Sequence, residues 1–154
     1  MKKGFLVSKV VIVLIYTFVL LSIKYITNPR GISLLSNMGD NGINLIPFAT
    51  ISHYLANIGH YNDSIILGGL FSFFMFVPLA IIIGCFDVFS KNCNKVLSVC
   101  LIVAAVLLYT IIARVLLLAV FDIDSVVLRV VAAIVCYILF TKIFLRKAVR
   151  HEDL

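Results

Sequence analysis

Charge is scarce in this chain. Only 13% of its residues are Asp, Glu, Lys or Arg, where soluble domains carry about 25%. Its 154 residues are 63% hydrophobic, and the mean hydropathy is +1.18. A soluble fold of this length has too little interior to hide so much apolar side chain. The class is therefore an all-α integral membrane protein forming one membrane domain over residues 1–154.

Other features are missing. Cys85, Cys93, Cys100 and Cys136 form no CxxC, so their spacing supports neither a zinc site nor a disulfide framework. Three of them lie in apolar runs, where a thiol behaves as a small hydrophobe. No Ser-x-x-Lys, G-x-S-x-G or HExxH arrangement occurs, and no glycine-rich phosphate loop follows a strand. The expectation is no catalytic residue, no cofactor and no metal. The net charge of +6 does not point to nucleic acid. The basic residues stand at the ends of apolar runs, without the interleaved aromatics of a base-stacking platform.

What is present is long apolar runs. Four of them, at about 5–26, 65–86, 96–121 and 126–145, are long enough to cross a bilayer as helices. The first follows Met1-Lys2-Lys3 but is too long for a signal peptide and lacks a small-x-small cleavage site, so it reads as an uncleaved anchor. Lys9 falls in its first turns, where its stem can snorkel to the headgroups. Lys2, Lys3, Lys9, Lys91, Lys95, Lys142, Arg146, Lys147 and Arg150 gather on one side of these runs, and only Lys24 and Arg30 on the other. The positive-inside rule then sets both termini in the cytoplasm, an N-in/C-in topology. Residues 27–64 and the FDIDS turn face outward together. The cytoplasmic connection DVFSKNCNK reads as a plain basic loop.

The outer segment is too long for a connector. It carries turn signals at Asn28-Pro29-Arg30-Gly31 and Asp40-Asn41-Gly42, then INLIPF at 43–48. Ile51, Tyr54, Leu55 and Ile58 follow at helical spacing, with Thr50 as cap and Gly59 as stop. A helix so short is expected to lie at the interface, apolar side down. His53, His60 and Asp63 are surface groups or an incomplete metal set.

Charges cluster beside the last two runs. In AVFDIDSVVLRVV, Asp124 or Ser125 can cap the fourth helix. That leaves Asp122, and with it Arg129 and Arg114. A membrane arginine costs from about 2.5 kcal/mol upward, so it turns into the bundle and finds a partner. The four charges form either a clasp between the third and fourth helices or a polar pocket facing a ligand. Pro78 removes a hydrogen bond inside the second run and is expected to kink it. Ser72 is the nearby polar group there, bonding back to its own helix or facing the pocket.

INLIPF, then Phe76-Val77-Pro78-Leu79, then FDIDS opening the last run, in this order, resemble the VanZ-like family over roughly residues 40–140. Its members are small bacterial membrane proteins, and the founding one is linked to resistance to the glycopeptide teicoplanin. Asn44, Pro47, Phe48, Phe76, Pro78, Asp122 and Asp124 match the family pattern. Ser72 stands where the family has Asn, Ala80 where it has Gly, and Thr110 and Ala113 where it has Glu and Gln. Ser125, Arg129 and Ala132 replace Asp, Asn and Gly. The resemblance implies a multi-pass protein of the bacterial cytoplasmic membrane. It would confer glycopeptide or lipoglycopeptide tolerance by binding drug, membrane lipid or lipid-linked wall precursor at the outer leaflet. Asn44, Pro47, Phe48, Ser72, Pro78, Arg114, Asp122, Asp124 and Arg129 would form the site. The alternative is a structural protein such as a bacteriocin-immunity protein, a subunit of a larger complex or a homo-oligomer. A third reading is an enzyme on lipid-linked phosphate with a cation at the aspartates.

Overall fold

A computed structural model of the chain describes residues 3–27, 43–48, 51–52, 56, 71–89, 94–116, 119 and 121–152, without the side chains of Lys3, Phe5, Asn44 and residues 145–152. Among the described residues there are four long helices: α1 (Lys3–Thr27), α2 (Val77–Phe89), α3 (Lys95–Val115) and α4 (Ile123–Glu152). Residues 71–74 add a separate helical turn just before α2. Leu6–Thr27, Phe71–Phe89, Lys95–Val115 and Ile123–Phe144 are each long and apolar enough to cross a membrane. The chain is thus an all-α protein with the make-up of a multi-pass membrane protein.

Each helix buries one narrow stripe. On α3, Ser98, Ile102, Ala105, Val106, Tyr109, Thr110 and Ala113 are buried, a run spaced by three and four residues along one face. On α2 the stripe is Leu79, Ala80, Ile83, Gly84 and Asp87. The most extensive helix contact is α2 on α4, while α1 lies mainly on α3. Gly84 lets α2 and α4 approach closely: a Cβ there would stand 2.8 Å from Cδ1 of Phe140. The remaining faces are apolar and exposed, as at Leu14, Phe18, Ile111 and Leu139, which suits contact with lipid.

The spans differ from the sequence reading at their ends. The third stops at Val115 instead of running to 121. Leu116 caps it, its N–H donating to the carbonyls of Ile112 and Arg114. Phe121–Asp122 instead forms a short strand, β2, paired in parallel with β1 (Ile43–Asn44). An apolar run shows no boundary between helix and strand; the partner backbone makes it. The second span runs on to Phe89, and α4 begins at Ile123.

That extension moves Asp87 out of the presumed loop and into the bundle, where it is buried. Lys9 does not snorkel. Its ammonium donates to Oδ1 of Asp87 and, at 2.8 Å, to Oγ of Ser98. Tyr137 on α4 donates to Oδ2 of Asp87 at 2.6 Å. A buried carboxylate is a better partner for a lysine than a distant headgroup, provided the chain brings it within reach.

Candidate functional site

The expected site residues converge on the end of the bundle opposite Lys9. Register pairs Ile43 with Phe121 and Asn44 with Asp122. Two backbone segments about eighty positions apart in sequence thereby become neighbours. Residues 45–48 then turn away. Leu45, Ile46, Pro47 and Phe48 are all exposed, and Phe48 holds a φ of 65°. A bulky residue in that region is strained unless neighbours hold it there.

Asp124 does the holding. Its carboxylate is buried. Oδ1 accepts the Phe48 N–H at 2.7 Å and Oδ2 accepts the Ile51 N–H at 3.4 Å. Phe48 in turn offers its carbonyl to the Ser52 N–H at 2.8 Å, opening a helical turn. Asp124 therefore caps a segment of another part of the chain. The cap of α4 itself is Asp122, not Asp124 or Ser125: its Oδ2 accepts the Ser125 N–H at 3.1 Å and the Ser125 hydroxyl at 2.5 Å. One aspartate closes its own helix and the other pins the facing turn. That division gives each aspartate a separate structural role.

Arg129, one turn further along α4, crosses to the second span. Its Nη2 donates to Oγ of Ser72 at 2.7 Å and its Nε to the Ser72 carbonyl at 3.1 Å. The guanidinium also lies 5.8 Å from the Tyr109 ring centroid, and Asp122 acts on it as an opposite charge. Arg114 is half-buried in the last turn of α3.

Pro78 does not simply kink a continuous helix. The helix is interrupted at Met75 and Phe76, and Pro78 sits in the first turn of α2, where a missing N–H costs little. Side chains from other spans serve the carbonyls around the break. Arg129 bonds that of Ser72, and the Tyr16 hydroxyl on α1 bonds that of Met75. Phe76 packs beneath, with ring centroids 6.3 Å from Tyr16 and 5.5 Å from Tyr109.

Tyr109 and Tyr16 escaped the sequence reading because an apolar run hides a tyrosine among aliphatic neighbours. Cys85, Cys100 and Cys136 are free thiols. Among the described residues, no three of His, Cys, Asp and Glu gather as a metal set. His53, His60, Asp63, Cys93 and the expected cap and stop of the interfacial helix, Thr50 and Gly59, lie outside the described residues. No protein-family model matches this chain, and no curated protein or solved structure is significantly similar to it.

Proposed function

We propose that this chain is a non-enzymatic protein of the bacterial cell envelope, related in kind to the VanZ-like proteins, with both termini cytoplasmic. It binds a glycopeptide-like drug, a lipid or a lipid-linked wall precursor at the outer leaflet and so confers tolerance. The single observation behind this reading is the apolar turn after β1. Leu45, Ile46 and Phe48 are 61%, 69% and 70% exposed, yet the turn is anchored at both ends, by the pairing of Ile43 and Asn44 with β2 before it and by the Phe48 N–H on Asp124 at its end. Apolar side chains on an ordered turn at the end of a membrane bundle suit an acyl chain or the interfacial zone of a bilayer. Arg129 and Arg114 stand at the same end and supply positive charge for a phosphate or carboxylate. In this reading Asp122 and Asp124 shape the site and set its charge balance, and Asn44 orders the loop.

The test is drug susceptibility of a sensitive Gram-positive host expressing the chain. The panel holds teicoplanin, lipoglycopeptides and several bacteriocins, with membrane levels checked by immunoblot. The wild type is expected to raise tolerance several-fold to the glycopeptide class. Leu45→Ser/Ile46→Ser should abolish that protection at an unchanged membrane level. Absence of protection by the wild type overturns the reading. A stoichiometric partner recovered on gentle-detergent purification would then favour a subunit of a larger complex.

A further inference from the structure

Four residues, one from each long helix, meet at a single buried point. They are Lys9 of α1, Asp87 of α2, Ser98 of α3 and Tyr137 of α4, all buried. The Lys9 ammonium contacts Oδ1 of Asp87 and Oγ of Ser98, and the Tyr137 hydroxyl donates to Oδ2 of Asp87. They stand at the end of the bundle away from β1 and β2, and the function proposed above does not use them.

An interior ion pair is a poor way to add stability. Each charge loses hydration worth several kcal/mol, and apolar replacements of a whole pair are often neutral or better. Ionisable groups inside a membrane bundle therefore call for another explanation. The arrangement has a direction. Asp87, Ser98 and Tyr137 belong to α2, α3 and α4, which pack on one another. Lys9 belongs to α1, the least buried of the four spans. Lys9 enters from outside, and the other three receive it.

We propose that Asp87, Ser98 and Tyr137 form a binding site for a primary ammonium group, with Lys9 as its built-in occupant, so that α1 docks on the other three helices through a tethered ligand. An ammonium carries three N–H donors and accepts nothing. Asp87 Oδ1 and Ser98 Oγ take two of them. Tyr137 holds the other carboxylate oxygen and is a positioning residue, fixing which lone pairs face α1. Truncating Lys9 removes the ammonium that Asp87 Oδ1 and Ser98 Oγ hold and opens space beside a buried carboxylate, a state that favours uptake of a small cation of the same hydrogen-bonding form.

The test uses the purified full-length protein in detergent micelles. Thermal unfolding of Lys9→Ala is followed in ethylammonium chloride and in tetramethylammonium chloride at equal ionic strength. The second ion has the charge but no N–H. Lys9→Ala is expected to melt several degrees below the wild type. Ethylammonium should recover at least half of that loss along a saturating curve, and tetramethylammonium should not. Adding Asp87→Asn should remove the response. Melting of Lys9→Ala at the wild-type temperature, or equal responses to both salts, overturns the proposal. Where Lys9→Ala does not accumulate, membrane accumulation becomes the readout. Lys9→Ala/Asp87→Asn must then exceed Lys9→Ala alone, because both members of the buried pair are then neutral. A double variant no better than the single also overturns the proposal.

Discussion

The carboxylate of Asp124, at the start of α4, accepts the backbone N–H of Phe48 at 2.7 Å across 76 positions of sequence. The same group reaches Ile51. Hydrogen bonds to a charged acceptor contribute about 1.5–3 kcal/mol each. Asp124→Ala removes both at once, so thermal unfolding in detergent should show a loss of about 3–6 kcal/mol. Asp124→Asn keeps one acceptor oxygen and should lose less than half as much. Equal effects of the two variants would show that the acceptor role is not what matters.

Phe48 is held at a φ of 65° with its ring 70% exposed. Glycine adopts that φ freely. Phe48→Gly should therefore leave the melting temperature unchanged or raise it, while removing the apolar side chain the proposed site depends on. Paired measurement of stability and drug tolerance separates the two roles. Retained tolerance in this variant would place the binding surface elsewhere.

Arg129 grips Ser72 with Nε and Nη2 together. A lysine ammonium is a point donor and cannot reproduce that fork over a tyrosine ring. Arg129→Lys should cost more stability than Ser72→Ala, which keeps the carbonyl contact. The double variant should cost clearly less than the sum of the two, with a coupling of about 0.5–3 kcal/mol. Additive losses in that cycle would mean that the two residues act independently.

Gly84 faces Phe140, which stacks on Phe144 with ring centroids 4.4 Å apart. A methyl group at 84 must push that ring aside, at about 1–3 kcal/mol for overpacking. Gly84→Ala should lower the melting temperature, and Phe140→Ala in the same chain should relieve part of the new loss. A neutral Gly84→Ala would mean that α2 and α4 are less tightly apposed than the distance implies.

Thr17 is buried on α1, and its hydroxyl has no hydrogen-bond partner among the described residues. An unmet buried hydroxyl costs about 1–3 kcal/mol. Thr17→Val keeps the shape and discards the hydroxyl, so it should raise the unfolding midpoint. A lowered midpoint would reveal a partner for that oxygen.

Much of the architecture was open to reading because the bilayer argument is about composition and length. A run of apolar side chains near twenty residues has few stable forms in lipid other than a helix. Asp40-Asn41-Gly42, just before INLIPF, and the FDIDS stretch were also legible, as turn-forming or polar interruptions of an apolar chain. The pairing of INLIPF with FDIDS was not. Ile43 and Phe121 join through backbone groups, which every residue carries, so no side-chain pattern records the register. The pairing of Lys9 with Asp87 is hidden from the sequence for a related reason. Each stands at the margin of a span, where a charge looks able to reach water.

Sequence alone therefore determined the apolar, all-α make-up of this protein, the four long helices among its described residues and the stretches that interrupt them. Those properties follow from local hydropathy, which is a sum over neighbouring residues. The tertiary structure decided what the interrupting charges do. It set Asp122 on its own helix end, Asp124 on a distant turn, Arg129 on Ser72 and Lys9 on Asp87. Electrostatic and hydrogen-bonding roles depend on distances of a few ångströms between groups far apart in the chain, and only the packed bundle supplies those distances.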